Sequence, residues 1–316
     1  MKKLRLIQAA LLLVMVSALV SCGGAANGPA EKVLSKKVFS QVQNEYDCVL
    51  DFTEGLCPVG KGSWSDVKWG AIDKKGKVVI PLEYDGLSNF KEGVALFKNK
   101  VNDETLIGLI DKNGKIIVPA TYVDAGSFVN GLCPVATKDP SGVGILNMLW
   151  GYINNNGEII IPINYNYADD FNEDLACVKK GEKYGYINNK GETIIPFNYD
   201  GANPFSEKLA IVEKGEKEMV IDKKGEVVYV LPDNQAFPLL PLYNSGLVPV
   251  KKLFGDSWWD DENIRCGYLN TKGEVAIDFN YDDVENFENG IAQVKKGSRT
   301  LYINTKGEEV DDPDLD

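Results

Sequence analysis

The sequence predicts an all-β protein, organised as a seven-fold array of three-stranded units of about 34 residues each. Two recurring markers support this prediction. The first is a turn glycine, which occurs at Gly76, Gly114, Gly157, Gly191, Gly225, Gly273 and Gly307. The second is an aromatic residue shortly before a strand, at Phe52, Phe90, Phe128, Phe171, Phe205, Tyr243 and Phe287. Because both markers recur in step, one repeated unit accounts for most of the chain.

Strand A and the turn after it are the clearest elements of the unit. Strand A is a segment such as Trp150 to Asn154, which ends in Asp or Asn and is followed by two polar residues and glycine. The Asx side chain can bond the backbone of such a turn, and glycine tolerates the positive φ that closes it. We therefore expect a β-hairpin at residues 73–76 and at each equivalent tetrapeptide.

Strands B and C complete the unit. Strand B is a short apolar run such as Val78 to Ile80, and its continuous apolar character predicts burial on both faces. Proline often follows this run, and we expect it to end the strand because it has no N–H to donate. Strand C follows the aromatic marker, as in Val94 to Lys98. The distance from the marker to the next turn glycine varies, so we place the length variation in C–A loops at one edge.

Strand A opens with an aromatic-glycine pair, or with a weaker version of it, at Trp69-Gly70, Ile107-Gly108, Trp150-Gly151, Tyr184-Gly185 and Cys266-Gly267. With this pair, the pattern resembles the WG-repeat family over about residues 44–310. The resemblance implies a β-repeat fold and says almost nothing about function. The fifth unit departs from the pattern because Glu218-Met219 replaces the pair. We expect that unit to be distorted.

The two ends of the chain each contain part of a unit. The N-terminal part, Tyr46 to Val59, lacks strand A, and the C-terminal part, Leu301 to Val310, supplies strand A with the start of strand B. Together they would complete a seventh unit, as in a ring-shaped propeller, where closure protects the sheet edges. The units are short for propeller blades. The sequence favours a closed propeller-like ring and leaves an open superhelical β-array as the alternative.

Residues 1–21 have the form of a targeting segment. Basic residues precede an apolar stretch that ends in Leu-Val-Ser-Cys22. This ending resembles the bacterial lipobox, and the resemblance implies that the chain is cut before Cys22 and that Cys22 is lipidated. Residues 22–36 then form a lipidated flexible tether, residues 37–310 the repeat domain, and residues 311–316 an acidic tail. We expect a lipid-anchored protein of the bacterial cell envelope, at the outer membrane.

The composition argues against several functions. With 46 acidic and 34 basic side chains, the net charge is −12, which argues against nucleic-acid partners because these need a basic surface. The chain has no histidine, so the commonest catalytic base and most zinc ligand sets are missing. Most carboxylates lie in the repeat turns, and no pair breaks the repeat register as a catalytic pair would. We predict no enzymatic activity, no catalytic residues, no metal site and no cofactor.

Five cysteines follow Cys22. Cys57 and Cys133 occupy a strand-C position that alanine fills in other units, so we expect small, buried thiols there. An envelope location permits disulfides. The spacing indicates no pairing framework, and the disulfide state of these cysteines stays open.

The candidate binding residues are aromatic side chains in the long C–A loops. Trp64 lies in one such loop, and Phe254, Trp258 and Trp259 lie in another. Tryptophan is enriched at binding surfaces because one flat side chain supplies a large contact area. The alternative is that these rings fold back as lids over the sheet edges. In a closed ring the two loops would form one aromatic patch, whereas in an open array they would lie at opposite ends.

These observations favour a non-catalytic binding or scaffold module. A repeat array builds a broad, rigid surface, which is typical of macromolecular recognition. We predict a partner protein in the envelope, with the membrane contacted through the N-terminal lipid. Glycan or peptidoglycan binding through the loop tryptophans is the alternative.

Overall fold

The computed structural model describes residues 38, 42, 44–63, 66–142, 148–255, 257–258 and 261–313. They belong to two compact units, of which one ends at Asp170 and the other begins at Phe171. Within these ranges the fold is all-β, apart from a 3-10 helix at Asp261–Asn263 and helical residues before Tyr46. No helix in the described part of the chain is long and apolar enough to cross a membrane.

The 28 strands are of four kinds, which repeat in chain order. A two-residue strand comes first: β1 Cys48–Val49, β5 Gly86–Leu87, β9 Asp124–Ala125, β13 Tyr167–Ala168, β17 Gly201–Ala202, β21 Gln235–Ala236 and β25 Asp283–Val284. Strand C follows: β2 Leu56–Lys61, β6 Val94–Val101, β10 Leu132–Lys138, β14 Ala176–Lys180, β18 Leu209–Lys214, β22 Leu247–Leu253 and β26 Ile291–Lys296. Strand A is next: β3 Lys68–Asp73, β7 Glu104–Asp111, β11 Met148–Asn154, β15 Lys183–Ile187, β19 Lys217–Asp222, β23 Ile264–Asn270 and β27 Arg299–Asn304. Strand B is last: β4 Val78–Tyr84, β8 Ile116–Tyr122, β12 Ile159–Tyr165, β16 Thr193–Tyr199, β20 Val227–Val230, β24 Val275–Tyr281 and β28 Glu309–Val310.

The strands form seven sheets of four strands each, in the order short strand, C, A, B. The predicted number of units is confirmed, whereas the predicted three-stranded unit is wrong. Each sheet joins a strand C to the strands A and B that follow it, and it adds the two-residue strand. The chain ends also lie in separate sheets, because β1–β4 form one sheet and β25–β28 form another. The two ends therefore do not complete a shared unit, contrary to the prediction.

The predicted hairpin between strands A and B is confirmed. The Asp73 carboxylate accepts the N–H of Lys75 at 2.8 Å and that of Lys77 at 3.0 Å. The turn glycine, Gly76, has a φ of +80°, which a residue with a Cβ adopts only under strain. The same pair of bonds forms at Asp111, Asn154, Asn188, Asp222, Asn270 and Asn304.

A second tight turn leads from each aromatic marker into strand C. In the first sheet its central residues, Glu54 and Gly55, have φ values of +50° and +92°. Thr53 and Leu56 exchange backbone hydrogen bonds across it, so it is a type I′ turn. The Glu54 carboxylate also accepts the N–H of Gly93 in the turn of the next sheet, at 2.9 Å. Equivalent bonds to the following turn are made by Glu92, Glu173 and Glu207.

The glycine of the aromatic-glycine pair is required by the path of strand B. Ile80 pairs with Ala71 and Tyr84 pairs with Trp69, so strand B accommodates extra residues as it passes Gly70. A Cβ at Gly70 would lie 2.4 Å from the Ile80 carbonyl oxygen, which excludes any side chain. The same close approach to a strand B carbonyl occurs at Gly108, Gly151, Gly185 and Gly267.

The fifth sheet lacks both this glycine and this irregularity. Met219 pairs with Val230 and Val220 with Tyr229 in unbroken register. The fifth unit does depart from the others, as the sequence predicts, because its strand B has one register shift, between Val220 and Ile221, where strand B of the first sheet has two. In the seventh sheet, strand B has only two residues and does not reach Leu301, which stands where the glycine would be.

Strand B is buried on one face only, so the predicted burial of both faces is wrong. Ile80 is fully buried, whereas Val78 is 42% exposed. Strand B is the last strand of its sheet, and no strand among the described residues pairs with its outer side. The same position lets the strand continue through Pro81, because an edge strand tolerates a residue without an N–H. Other exposed strand B side chains are Ile116, Ile159, Ile160, Ile194, Val227, Val228, Val230 and Val275.

Four cysteines are free and buried, which confirms the prediction of buried thiols: Cys57, Cys133, Cys177 and Cys266. Burial raises the pKa of the Cys57 thiol to about 12 and that of Cys266 to about 11. Thiols with such pKa values stay protonated at neutral pH and are poor nucleophiles. Cys48 is also buried.

Candidate functional site

Each C–A connector joins two neighbouring strands at one end of its own sheet. The C–A connector of the second sheet, Lys98 to Thr105, is an extended hairpin and not an irregular loop. Strands β6 and β7 continue to Val101 and Glu104, and the turn consists of two residues with positive φ, Asn102 and Asp103. The added length of this unit therefore lies in its strands.

Two of the four predicted binding residues belong to the described part of the chain. Phe254 and Trp258 lie in the connector between β22 and β23, which we call the Phe254 loop (residues 254–263). The Phe254 side chain is 60% exposed, and Trp258 is half-buried. Trp64 and Trp259 lie outside the described residues, as does the predicted lipidation site, Cys22.

The Phe254 loop is fixed where it leaves the sheet. The N–H of Phe254 donates to the carbonyl of Asn263 at 2.8 Å, which extends the pairing of Leu253 with Ile264. Asn263 also packs closely on Gly255, where a Cβ would lie 2.9 Å from the Asn263 Cγ. The Phe254 ring therefore projects from a backbone that is held in place on both sides.

The Phe254 ring lies beside a lysine of the same sheet. Lys252 Nζ is 5.1 Å from the centroid of the Phe254 ring and 5.2 Å from that of Phe279, on β24. Cation–π contacts of this kind stabilise by about 0.5–1 kcal/mol at exposed sites. The two rings thus position the Lys252 ammonium at the surface.

Among the described residues, Lys251 and Arg265 have acidic partners and Lys252 has none. Lys252 lies directly opposite Arg265 across the two strands, an arrangement in which like charges repel. Arg265 has Asp282 at 3.6 Å, and Lys251 has Asp283 at 3.8 Å. No carboxylate among the described residues lies within ion-pairing distance of Lys252. The site combines an exposed aromatic ring with a cation that has no counter-ion among the described residues.

An aspartate that sequence reasoning missed braces the C–A connectors. Asp85 follows the tyrosine that ends β4, and its carboxylate accepts the N–H of Lys100 at 2.7 Å. The hydrogen bond from Lys68, at 2.5 Å, is the main reason that the pKa of Asp85 lies below its usual value. The repeated Tyr-Asp dipeptide is the sequence signal for this brace. Asp47, Asp200 and Asp282 make the equivalent bond to a connector N–H.

Asp169 and Asp170 form a pair of neighbouring carboxylates in a partly buried environment. Burial, and secondarily the charge of Asp170, raises the pKa of Asp169 to about 6, and burial also raises the pKa of Asp170. Asp169 accepts the N–H of Asp170 at 2.9 Å, and Asp170 accepts that of Ser127 at 2.8 Å. Each of the two carboxylates therefore accepts a hydrogen bond from a backbone N–H of this chain. Within the described ranges, no group of three or more His, Cys, Asp or Glu is placed to hold a metal ion.

The protein shows distant similarity to several solved structures. Apo AztD from Citrobacter koseri matches with a TM-score of 0.39 and 11% identity, over 83% of this chain and 84% of AztD. The acylaminoacyl peptidase of Pyrococcus horikoshii matches with a TM-score of 0.41 and 12% identity, over 84% of this chain and 52% of the peptidase, about half its length. TolB from Acinetobacter baumannii matches with a TM-score of 0.31 and 13% identity, over 55% of this chain and 50% of TolB. Similarity at this level carries no information about function.

No curated protein matches the sequence significantly. The family comparison gives a definite result, because the model described as WG containing repeat matches residues 69–100, 107–139, 150–184, 184–217 and 267–299. Together these segments cover just over half of the chain. Each match begins at or beside an aromatic-glycine pair or one of its weaker versions, so the resemblance inferred from those pairs is confirmed. The chain belongs to the family of WG containing repeat proteins.

Proposed function

We propose that this protein is a lipid-anchored protein of the bacterial envelope whose repeat domain binds a partner protein through the Phe254 loop. The observation that carries the proposal is the exposed Phe254 ring beside the Lys252 ammonium. Aromatic anchors next to charged groups are typical of the few residues that dominate binding energy at interfaces. A partner segment with a carboxylate beside an apolar side chain complements both features. The proposal gives the domain no catalytic step.

Photo-crosslinking in intact cells tests this proposal. A photoreactive phenylalanine analogue replaces Phe254 in one chain and Leu239 in a control chain, since the two side chains are 60% and 59% exposed in the same sheet region. We expect a discrete protein adduct from position 254 and none from position 239. Lys252→Glu should abolish the adduct because it places a negative charge opposite an acidic partner. Equal adducts at the two positions, or an adduct indifferent to Lys252→Glu, would contradict the proposal.

Glycan binding is the alternative, and Trp258 is the residue that supports it. Trp258 is half-buried, so part of the indole remains able to stack on a sugar ring. The test is co-sedimentation of the full chain with purified peptidoglycan, with and without Trp258→Ala. Sedimentation that is lost in the variant and insensitive to salt supports glycan binding, and no sedimentation refutes it.

Lipid anchoring at Cys22 is a separate part of the proposal and is supported by the lipobox-like ending of residues 1–22. Mass spectrometry of the mature N-terminal peptide tests it. We expect a peptide that starts at Cys22 and carries acyl chains, in cells whose outer-membrane fraction contains the protein. A mature N-terminus at another residue, or a Cys22 that carries no acyl chains, would refute the anchor.

We also propose that the seven sheets close into a ring. Their number and their common strand order support this proposal. Spectroscopic labels on Asp47 in the first sheet and Lys295 in the last measure the relevant distance. In a ring the two labels lie on neighbouring sheets, whereas a separation of several sheet widths would establish an open array.

A further inference from the structure

The A–B turns of the first two sheets differ in charge from those of the other five. The residue after the turn glycine is lysine in these two sheets, Lys77 and Lys115, and glutamate in the others: Glu158, Glu192, Glu226, Glu274 and Glu308. Lys74 and Lys75 add to the first turn and Lys112 to the second, whereas the third turn contains no lysine. Since each of the two turns contains a single aspartate, both are positively charged, in a chain whose net charge is −12.

Most of these lysines have no acidic partner in the described part of the chain. Four of the five are exposed: Lys74, Lys75, Lys77 and Lys115. No described carboxylate lies within ion-pairing distance of these four. The fifth, Lys112, is half-buried, and its Nζ is 3.9 Å from the Glu54 carboxylate. The four exposed ammonium groups are therefore open to an anionic ligand.

The two basic turns lie beside each other. A core cluster joins the first and second sheets, and a Cβ at Gly114, in the second turn, would lie 3.7 Å from the Cγ1 of Ile80 in strand B of the first sheet. Val78 and Ile116 directly follow the two turns, and their side chains are 42% and 47% exposed. We call this surface the basic edge, and it consists of Lys74, Lys75, Lys77, Val78, Lys112, Lys115 and Ile116.

The N-terminal segment joins the described fold at the basic edge. A Cβ at Gly76, in the first basic turn, would lie 3.4 Å from the Cγ1 of Val38. Val38 also packs against a core cluster of the first sheet. Residues 22–36, between the predicted lipidation site and the domain, span at most about 50 Å even when fully extended. A lipid on Cys22 would therefore keep the basic edge within reach of the bilayer surface.

We propose that the basic edge binds the phosphate groups of anionic phospholipids at the membrane surface. The inference rests on the proposed lipid anchor, and it adds which part of the domain faces the bilayer. Lysine ammonium groups are attracted to anionic headgroups, and the neighbouring apolar side chains of Val78 and Ile116 suit the boundary between headgroups and acyl chains. The rest of the chain has a net negative charge, so an anionic surface repels it. A domain held at such a surface therefore lowers its electrostatic energy by turning the basic edge towards the lipids.

Fluorescence quenching of the lipidated full chain in vesicles provides the first test. A fluorophore is attached to Asn113→Cys or to the control Asn156→Cys, because both asparagines are exposed and precede the turn glycine in neighbouring sheets. The four free native cysteines are buried, which keeps background labelling low. The vesicles contain phosphatidylcholine, with or without phosphatidylglycerol, and a lipid with a nitroxide on its headgroup. With phosphatidylglycerol we expect stronger quenching at position 113 than at position 156, and we expect loss of the difference without it or at high salt. Equal quenching at the two positions would overturn the proposal.

Charge reversal provides the second test. In the Asn113→Cys background, three substitutions in the first basic turn should remove the excess quenching: Lys74→Glu, Lys75→Glu and Lys77→Glu. A control chain changes the net charge equally at exposed A–B turn lysines of other sheets: Lys190→Glu, Lys272→Glu and Lys306→Glu. We expect the control to keep the excess quenching. Loss of the excess in both chains, or in neither, would refute a specific role of the basic edge.

Flotation of the same samples separates this proposal from the lipid anchor. An anchored chain floats with both kinds of vesicle, whichever way the domain faces. Flotation with both kinds, together with equal quenching at the two positions, would keep the anchor and overturn the basic edge. Flotation only with phosphatidylglycerol would refute the anchor and support the basic edge, and flotation with neither would refute both.

Discussion

Aspartate serves three purposes in this chain, and the groups around each side chain decide which. The bonds from the N–H groups of Lys77 and Lys75 hold the pKa of Asp73 below its ordinary value. Asp85 braces a connector, whereas burial raises the pKa of Asp169. The role of Asp73 in its turn is predictable because the residues that make its hydrogen bonds are close to it in the sequence. The raised pKa of Asp169 is not predictable, since its burial depends on segments that are distant in the sequence.

Asp169→Asn should stabilise the protein at neutral pH. The folded-state pKa of about 6 is above the ordinary value of 3.8, so the folded state binds the proton more tightly than the unfolded chain. The free energy of unfolding therefore falls as pH rises from about 4 to about 6. Above that range, the whole cost of burying the ionised Asp169 carboxylate is present. The neutral amide avoids a penalty of up to about 3 kcal/mol at neutral pH. Urea unfolding should show this gain at about pH 7.5 and little of it at about pH 4.

Asp200→Asn is the matched control, because the pKa of Asp200 is shifted in the opposite direction from that of Asp169. The hydrogen bond from Lys183, followed by that from the Gly215 N–H, lowers the pKa of Asp200. The stability that this carboxylate contributes is present at neutral pH and is lost as pH falls through its lowered pKa. The variant should thus be less stable than the parent at neutral pH and similar to it in acid. Two variants that respond to pH in the same direction would contradict this assignment.

At the scale of the elements, the turns were predictable and the path of strand B was not. The A–B turn depends on four consecutive residues, so Asp73 and Gly76 are enough to predict it. The irregularity of strand B arises from its pairing with strand A, and no local pattern encodes it. The exposure of Val78 was missed for a related reason, because a continuous apolar run does not reveal that its strand lies at a sheet edge.

Gly151→Ala tests whether the path of strand B requires a glycine at this position of strand A. A Cβ there would lie 2.6 Å from the Ile161 carbonyl oxygen and 2.7 Å from backbone atoms of Ile163. Because backbone rather than a flexible side chain blocks the space, we expect a loss of about 1–3 kcal/mol in the free energy of unfolding. Gly86→Ala is the control, since a Cβ there would meet only side-chain atoms of Lys98 at 3.3–3.4 Å. Equal losses in chemical denaturation would show that the strand B path is not the constraint.

At the scale of the whole molecule, five of the described core clusters each lie between two consecutive sheets. One layer joins the fourth and fifth sheets, where the Phe205 ring lies 4.8 Å from that of Tyr186. The Tyr186 hydroxyl also donates to the Asn203 carbonyl at 2.7 Å. Another layer joins the sixth and seventh sheets through Tyr268 and Phe287. Stability in such an array is approximately a sum of repeat and neighbour contributions.

Phe205→Ala should consequently act locally. The side chain is fully buried, and its removal should cost about 3–5 kcal/mol. Hydrogen exchange should then accelerate in β15 and β18, which border the lost contact, while β26 in the seventh sheet keeps its protection. Uniform acceleration across all three strands would instead indicate that the repeats unfold as one cooperative block.

The candidate site was also predictable only in part, and distance along the chain explains why. Phe254 and Trp258 stand out in the sequence because aromatic residues are uncommon in polar loops. Lys252 does not stand out, since it is one of many lysines and lies within a strand. Its role arises from Phe279 and Arg265, which the fold brings to it from other strands.

The dependence of the glycine on the strand B irregularity bears on how the copies in a repeat array diverge during evolution. Each duplicated copy inherits a glycine, an irregular outer strand and a proline that together keep that strand from pairing. Where Met219 stands in place of the glycine, strand B pairs without the extra residues beside that position. Divergence of one copy from the family pattern therefore changes how the outer strand of that copy pairs.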